Sequence, residues 1–265
     1  MKEIAFIGAG KMAEAILKQL LRKEVYGCGD IILSDVDKER LHGMEAEYGT
    51  ATARSNKEAV EQARIILLAV KPQKLEEVLR EISRSIDLQQ LVISIAMGKT
   101  TSFIEGLLPE GMAVVRVMPN NPAMVGAAVS VLSYGKSAGD EEHEKAVAIF
   151  SCLGEVYELE EKLQDEAMSL SGCGPAYFYV LTEALTDAGV RLGLNRPLAL
   201  KLATGTMIGS GMMLRDSGMH PCELKDMVTS PGGSTIAALE ALEEGGLRGA
   251  VYRALKAARD RAKEV

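Results

Sequence analysis

The chain of 265 residues is long enough to bury a substantial core in one large or two modest domains, and its hydrophobic content of 47% with 26 glycines marks it as globular. A formal net charge of −7 argues against general nucleic-acid affinity, because phosphate binding needs clustered Lys and Arg to displace counterions. Any anionic ligand therefore has to be held locally, by helix N-termini and a few placed cations. Cys28, Cys152, Cys173 and Cys222 show no paired spacing and His42, His143 and His220 are scattered, so neither a disulfide framework nor a metal site is expected. The apolar stretch 202–214 is too short to span a bilayer, and Met1-Lys2-Glu3 runs straight into a strand-like segment without a signal-peptide pattern. These features predict a cytoplasmic protein.

Short aliphatic runs at 4–7, 31–33, 65–70, 91–95, 113–117 and 127–132 alternate with amphipathic stretches. Near-continuous hydrophobicity suits strands buried on both faces, and helical connections imply βαβ units joined by right-handed crossovers. From about residue 159 the strand signal vanishes, and 175–190, 197–214, 222–228, 231–244 and 247–263 read as helices, three of them with Pro near the first turn. The pattern predicts an α/β protein: a Rossmann-like dinucleotide-binding domain over 1–158 and an all-helical domain over 159–265. Gly205, Gly209 and Gly211 among Met207, Met212 and Met213 allow close helix approach, either in the core or across a dimer interface.

The first chemical motif joins the first strand to an amphipathic helix: Ile7, Gly8, Ala9, Gly10, Lys11, Met12 and Ala13. Gly8 permits a tight turn, Gly10 lets backbone approach a pyrophosphate, and Ala13 stands at the helix–strand contact where a third glycine is usual. Cofactor choice is read at the end of the second strand, where Ser34 suits either nucleotide. Asp35 and Asp37 lean toward a free ribose 2′-hydroxyl, and Lys38 or Arg40 could pair with a 2′-phosphate, so use of both NADPH and NADH is expected. Ala69, Val70, Lys71 and Pro72, and then Ile95, Ala96 and Met97, follow two further strands and belong to the same crevice. Arg116 to Pro122, with two prolines and two Asn amides, reads as a rigid polar turn.

The segment Thr229-Ser-Pro-Gly-Gly-Ser-Thr235 reads as the open end of a helix, with Ser230 as N-cap and Pro231 at the first helical position. The N–H groups of Gly232, Gly233 and Ser234 are then free for an anion such as a small carboxylate, ringed by hydroxyls; an ordinary capped helix start is the plainer alternative. Tyr177 reads as packing, His220 as shaping a helix entry, and Cys173 as a small buried residue.

As a whole the chain resembles pyrroline-5-carboxylate reductase. The resemblance rests on Gly8-Ala-Gly10, Ala69-Val-Lys-Pro72, Arg116-Val-Met-Pro-Asn120, Ser171-Gly-Cys-Gly-Pro-Ala-Tyr177 and above all on His220 through Thr235. It implies hydride transfer from NADPH or NADH to the cyclic imine 1-pyrroline-5-carboxylate, giving L-proline, by an intertwined homodimer that assembles further into a decamer. It also implies cofactor contacts at residues 7–12, at Ser34 and Asp35, at Asn56, at 69–72 and at 95–97. Substrate contacts are implied at Asn120, Ser230, Gly232, Gly233, Ser234 and Thr235, with Thr235 hydrogen-bonding the substrate nitrogen or its proton donor. Cys173 departs from the family's usual Ser, Met97 from Ala, and Asp35 from Ser or Arg. A protonated imine is already electrophilic, so positioning and electrostatics suffice and no His or Cys constellation is required. Two rivals remain at this stage: a related reductase acting on a different imine or on a 3-hydroxy acid, the latter needing a catalytic Lys for which Lys201 or Lys225 lacks a persuasive setting, and a non-catalytic dinucleotide sensor.

Overall fold

A computed structural model describes residues 1–262. Lys263, where the sequence pattern ended the last helix, lies outside the described residues. The strands are β1 (Lys2–Ile7), β2 (Ile31–Ser34), β3 (Ala51–Thr52), β4 (Ala63–Leu68), β5 (Leu91–Ser94), β6 (Ala113–Met118), β7 (Ala128–Tyr134) and β8 (Gly154–Glu158). They form one sheet in the order β3-β2-β1-β4-β5-β6-β7-β8, parallel throughout except that β7 runs antiparallel to β6. Between them lie α1 (Lys11–Arg22), α2 (Lys38–Tyr48), α3 (Asn56–Val60), α4 (Pro72–Ile82), α5 (Thr101–Glu105) and α6 (Asp140–Ser151).

Alternate residues of each central strand enter opposite cores, which is why these strands read as unbroken hydrophobic runs. Ile4 and Phe6 of β1 join Ile16, Leu17 and Leu20 of α1 on one face, whereas Ala5 and Ile7 join Leu75 and Leu79 of α4 on the other. Each fully buried Leu or Ile contributes roughly 1.5–3 kcal/mol, so two-sided burial concentrates stability beneath the sheet's functional edge.

Two strands escaped the sequence reading. β3 has only two residues, and β8 at the sheet edge is largely exposed with Glu155, Tyr157 and Glu158 on it, the charged character that protects an edge from pairing. Gly154 opens β8 at φ +150, where any Cβ would overlap the Ala128 backbone.

The helical half comprises α7 (Gln164–Ala167), a π-helical turn (Met168–Gly172), α8 (Gly174–Arg191), α9 (Arg196–Ser217), α10 (Pro221–Met227), α11 (Ser234–Glu244) and α12 (Leu247–Ala262). Its compact unit is Gly174–Ala257, while Met1–Cys173 and residues 258–262 form the other. Residues 159–173 thus pack with the sheet although the strand signal ends near residue 158. The reason is chemical: the segment after β8 is bonded to the sheet. Arg116 of β6, 5% exposed, meets Asp165 at 3.0 Å and Glu161 at 3.5 Å. Glu161 also accepts the Thr101 N–H and hydroxyl, and Gln164 donates to the Val131 carbonyl and Ser133 Oγ.

In the second unit α9 is unusual. Of the described residues of this 22-residue helix only Ala199 is buried, and Leu198, Leu200, Leu202, Ile208, Met212 and Met213 are exposed. Side chains placed on Gly205, Gly209 and Gly211 would meet nothing within 4 Å among the described residues, so these glycines do not serve close packing inside the chain's own core. No helix among the described residues is long and apolar enough to cross a membrane.

Candidate cofactor crevice and the Pro-Gly-Gly turn

The parallel register aligns Ile7, Ser34, Leu68 and Ser94 in one row across β1, β2, β4 and β5. The next residues, Gly8, Asp35, Ala69 and Ile95, therefore all leave the sheet at its carboxyl edge. The strand order reverses beside β1, which makes this edge a topological switch point. The ladder continues one step into the loops: Gly8 N–H donates to Ser34 O (2.8 Å), Ala69 N–H to Ile7 O (2.8 Å) and Ile95 N–H to Leu68 O (3.1 Å). Residues 7–12, 69–72 and 95–97 are thus gathered at one edge, as the spacing implied.

The two glycines of the fingerprint differ in kind. Gly8 has φ +101, and a Cβ there would lie 2.6 Å from Ala69 O. Gly10 is the N-cap of α1 with ordinary φ −69, and a Cβ on it would meet nothing within 4 Å. The space before the first turn of α1 is open, where Lys11 and Met12 begin the helix and its amides can receive an anion. The residues present therefore fit a dinucleotide's pyrophosphate.

Beyond the carboxyl end of β2, Asp35 Oδ2 accepts the Ala9 N–H at 2.5 Å and Oδ1 accepts the Asp37 N–H at 2.9 Å. Ser34, buried, donates its hydroxyl to Asn56 Oδ1 (2.8 Å), and Asn56 Nδ2 donates to Glu81 (2.8 Å). Arg40 does not swing free: its Nε donates to Ala9 O (2.9 Å) and its Nη2 to Glu14 (2.5 Å). Burial works against the Glu14 carboxylate, but hydrogen bonds from Arg40 and Tyr48 outweigh it and leave its pKa below the ordinary value. Lys38 Nζ is directed to the carbonyls of Asp35 (3.2 Å) and Arg54 (3.4 Å). Lys71, exposed, is the N-cap of α4 with Pro72 at the first helical position.

Asn120 is 7% exposed; its Nδ2 donates to Ser171 O (3.0 Å) and its Oδ1 accepts the Val129 N–H (2.9 Å). The amide expected to meet substrate is thus largely committed to fastening the π-helical turn to β7. Glu161, Asp165 and Gln164, which tie this region together, escaped the sequence reading. Isolated acids and amides on short helical turns carry no local signal of a distant partner.

In the second unit the 229–235 segment is built differently from the expectation. Gly233, not Ser230, is the N-cap of α11, which begins at Ser234. Ser230-Pro-Gly-Gly233 forms a β-turn with Gly233 N–H donating to Ser230 O (3.1 Å) and Gly232 at φ +67, the left-handed third position that a Pro-Gly turn favours. The Gly233 amide is consequently occupied, and the open donors of this helix start fall at Ser234 and Thr235. Thr229 is held by its hydroxyl bond to Lys225 O (2.6 Å). His220 caps α10 by accepting the Cys222 N–H on Nδ1 (3.2 Å), and Glu223 returns a bond to the His220 N–H. A groove of about 500 Å³ between α9 and α10 is lined mainly by Gly209, Met213, Leu214, Leu224, Met227 and Val228. Lys225, a candidate in the rival reading, pairs with Asp226 at 2.6 Å. No cluster of His, Cys, Asp and Glu among the described residues could hold a metal ion.

The chain is 42% identical over 264 residues to a pyrroline-5-carboxylate reductase of Methanosarcina acetivorans, covering 100% of this chain and 98% of the relative. The chain belongs to the pyrroline-5-carboxylate reductase family. A second relative, from Bacillus subtilis, is 37% identical over 265 residues, with 100% and 89% covered. Residues 161–265 match the family described as pyrroline-5-carboxylate reductase dimerisation, and residues 3–98 match NADP oxidoreductase, coenzyme F420-dependent. Among solved structures, a pyrroline-5-carboxylate reductase from Coxiella burnetii superposes with a TM-score of 0.92 at 34% identity, covering 99% of this chain and 98% of the other. The Plasmodium falciparum pyrroline carboxylate reductase, solved with NADP bound, gives 0.90 at 31% identity, with 99% and 97% covered. Membership of this family favours the imine-reductase reading over the sensor and over a reductase built on Lys201 or Lys225.

Proposed function

We propose that the chain reduces 1-pyrroline-5-carboxylate to L-proline with hydride from NADPH or NADH. Full-length similarity to relatives of that name carries the reading, and the open glycine turn at the carboxyl edge of β1, β4 and β5 supports the cofactor's place. The bound nicotinamide supplies the hydride. The protein supplies orientation, a local positive potential and a proton route.

In this reading the edge residues 7–12, 69–72 and 95–97 hold the dinucleotide, with Ser34, Asp35 and Asn56 at its adenosine end. The turn from Ser230 to Thr235 receives the substrate carboxylate, through the Gly232 and Ser234 amides and the Ser230 and Ser234 hydroxyls, with Gly233 shaping the turn. Thr235, in the first turn of α11, hydrogen-bonds the imine nitrogen or the group that protonates it. Asn120 acts by holding the π-helical turn rather than by gripping substrate. Residues 1–158 serve as the nucleotide-binding domain and 159–265 as the substrate-binding and self-association domain of a cytoplasmic homodimer, with a decamer of five dimers as the larger assembly. The exposed apolar surface of α9 supports self-association.

The test is a spectrophotometric assay with both nucleotides. Oxidation of NADPH or NADH on addition of 1-pyrroline-5-carboxylate is expected, and nucleotide binding without oxidation would leave only a sensor.

A further inference from the structure

The carboxyl end of β2 carries a fixed negative charge at a place where the two nicotinamide cofactors differ. Asp35 is the first residue beyond the strand and is half-buried, with each of its oxygens holding a backbone amide, Ala9 on one side and Asp37 on the other. Because Ala9 lies within the glycine turn, the carboxylate is pinned to the loop that meets the pyrophosphate and cannot rotate away without releasing that loop. It borders a cavity of about 440 Å³ whose charged lining is Glu14, Asp35 and Asp37 against Lys11 and Arg40.

Three of the cations able to neutralise a 2′-phosphate are already engaged, while Lys11 opens α1 beside the glycine turn. Arg40 is held by Ala9 O and Glu14, Lys38 by two carbonyls, and Arg54 by Glu58 through two guanidinium nitrogens. The Ser34 hydroxyl is buried and spent on Asn56. A ribose 2′-hydroxyl can donate to a carboxylate, whereas a phosphate dianion beside it adds like-charge repulsion in a partly desolvated site.

We infer that Asp35 sets the nucleotide preference of this chain, favouring NADH over NADPH. The inference deepens the reductase reading and rests on its assignment of the crevice to a nicotinamide cofactor, but it does not depend on which imine is reduced.

Calorimetric titration without substrate tests it. The unmodified protein is expected to bind NADH at least about tenfold more tightly than NADPH, the scale of one differential charge–hydrogen-bond contact. Asp35→Ser is expected to erase or reverse that ratio, chiefly by tightening NADPH. Since Asp35 also holds the Ala9 amide, Asp35→Asn, which keeps a carbonyl acceptor for it and gives up the bond to the Asp37 N–H, serves as the second variant and is expected to shift the ratio in the same direction with a smaller drop in melting temperature than Asp35→Ser. Equal or tighter NADPH binding by the unmodified protein overturns the inference, as does an unchanged ratio in both variants. Failure to bind either nucleotide overturns it together with the cofactor assignment. If both nucleotides bind with the expected ratio but 1-pyrroline-5-carboxylate is not reduced, the reductase reading fails while the preference stands.

Discussion

Alanine substitution at the two glycines of the fingerprint should separate folding from ligand binding. At Gly8 the new Cβ would sit 2.6 Å from Ala69 O and 2.9 Å from Ala69 C, both backbone atoms of the neighbouring strand end, at φ +101. The dihedral strain costs about 1–3 kcal/mol and the overlap adds roughly 1–3 more, because the turn must move by some tenths of an ångström against the Gly8–Ser34 and Ala9–Asp35 bonds. Gly8→Ala should therefore lose about 2–6 kcal/mol of stability, along with nucleotide binding. At Gly10 the dihedrals are φ −69 and ψ −179 and the added methyl meets open space, so Gly10→Ala should leave stability unchanged or raise it by about 0.4–1 kcal/mol through the stiffer unfolded chain. In the proposed reading the pyrophosphate approaches through that open space, and affinity should fall about 30- to 100-fold, equivalent to one or two charge-assisted hydrogen bonds. Urea unfolding and calorimetric titration of both variants provide the assay. Comparable destabilisation by the two substitutions, or full nucleotide affinity in Gly10→Ala, would refute the division of labour.

Three further outcomes follow from the geometry. Thr235→Ala should lower kcat by roughly 10- to 100-fold, the scale of one hydrogen bond to a charged group, with the nucleotide Kd within about twofold of wild type; unchanged kinetics remove Thr235 from the mechanism. Arg116→Met leaves Glu161 and Asp165, each about a quarter exposed, without their buried cation, and urea unfolding should register a loss of about 2–3 kcal/mol. Burial pushes the Cys152 thiol from an ordinary 9.0 up to about 11. The unfolded chain then binds fewer protons than the folded one between these values, so stability should fall as pH rises through that window by about 2–3 kcal/mol. Cys152→Ala should flatten that part of the pH–stability curve, and an identical slope in the variant would show that other groups cause it.

What the sequence revealed and what it hid divide along physical lines. The central strands were legible because Ile4 through Ile7 and Ile65 through Leu68 are buried on both faces, which forces an unbroken apolar run. The glycine turn was legible because only glycine tolerates the Gly8 conformation beside Ala69. β8 stayed hidden because an edge strand carries charge, and the packing of residues 159–173 onto the sheet was illegible because Arg116, Glu161 and Asp165 meet across about fifty positions of sequence. The Ser230 cap was misassigned by the sequence reading because Pro-Gly sequences specify a turn as readily as a helix start, and only the Gly233–Ser230 hydrogen bond distinguishes them. The direction of Asp35 toward the Ala9 amide was likewise invisible, since spacing places a carboxylate near a loop without saying what holds it.

Helix α9 carries a consequence for the cell. With Ala199 alone buried among its described residues, much of the apolar surface that would complete the core of this unit lies on the outside, and a second molecule has to cover it. Stability is then a property of concentration as well as of sequence: dilution acts as a denaturant, and the melting temperature should rise with protein concentration. A newly made chain at low abundance exposes Leu200, Ile208 and Met212 to chaperones and proteases until it meets its copy, so the rate of synthesis helps decide how much folded protein persists.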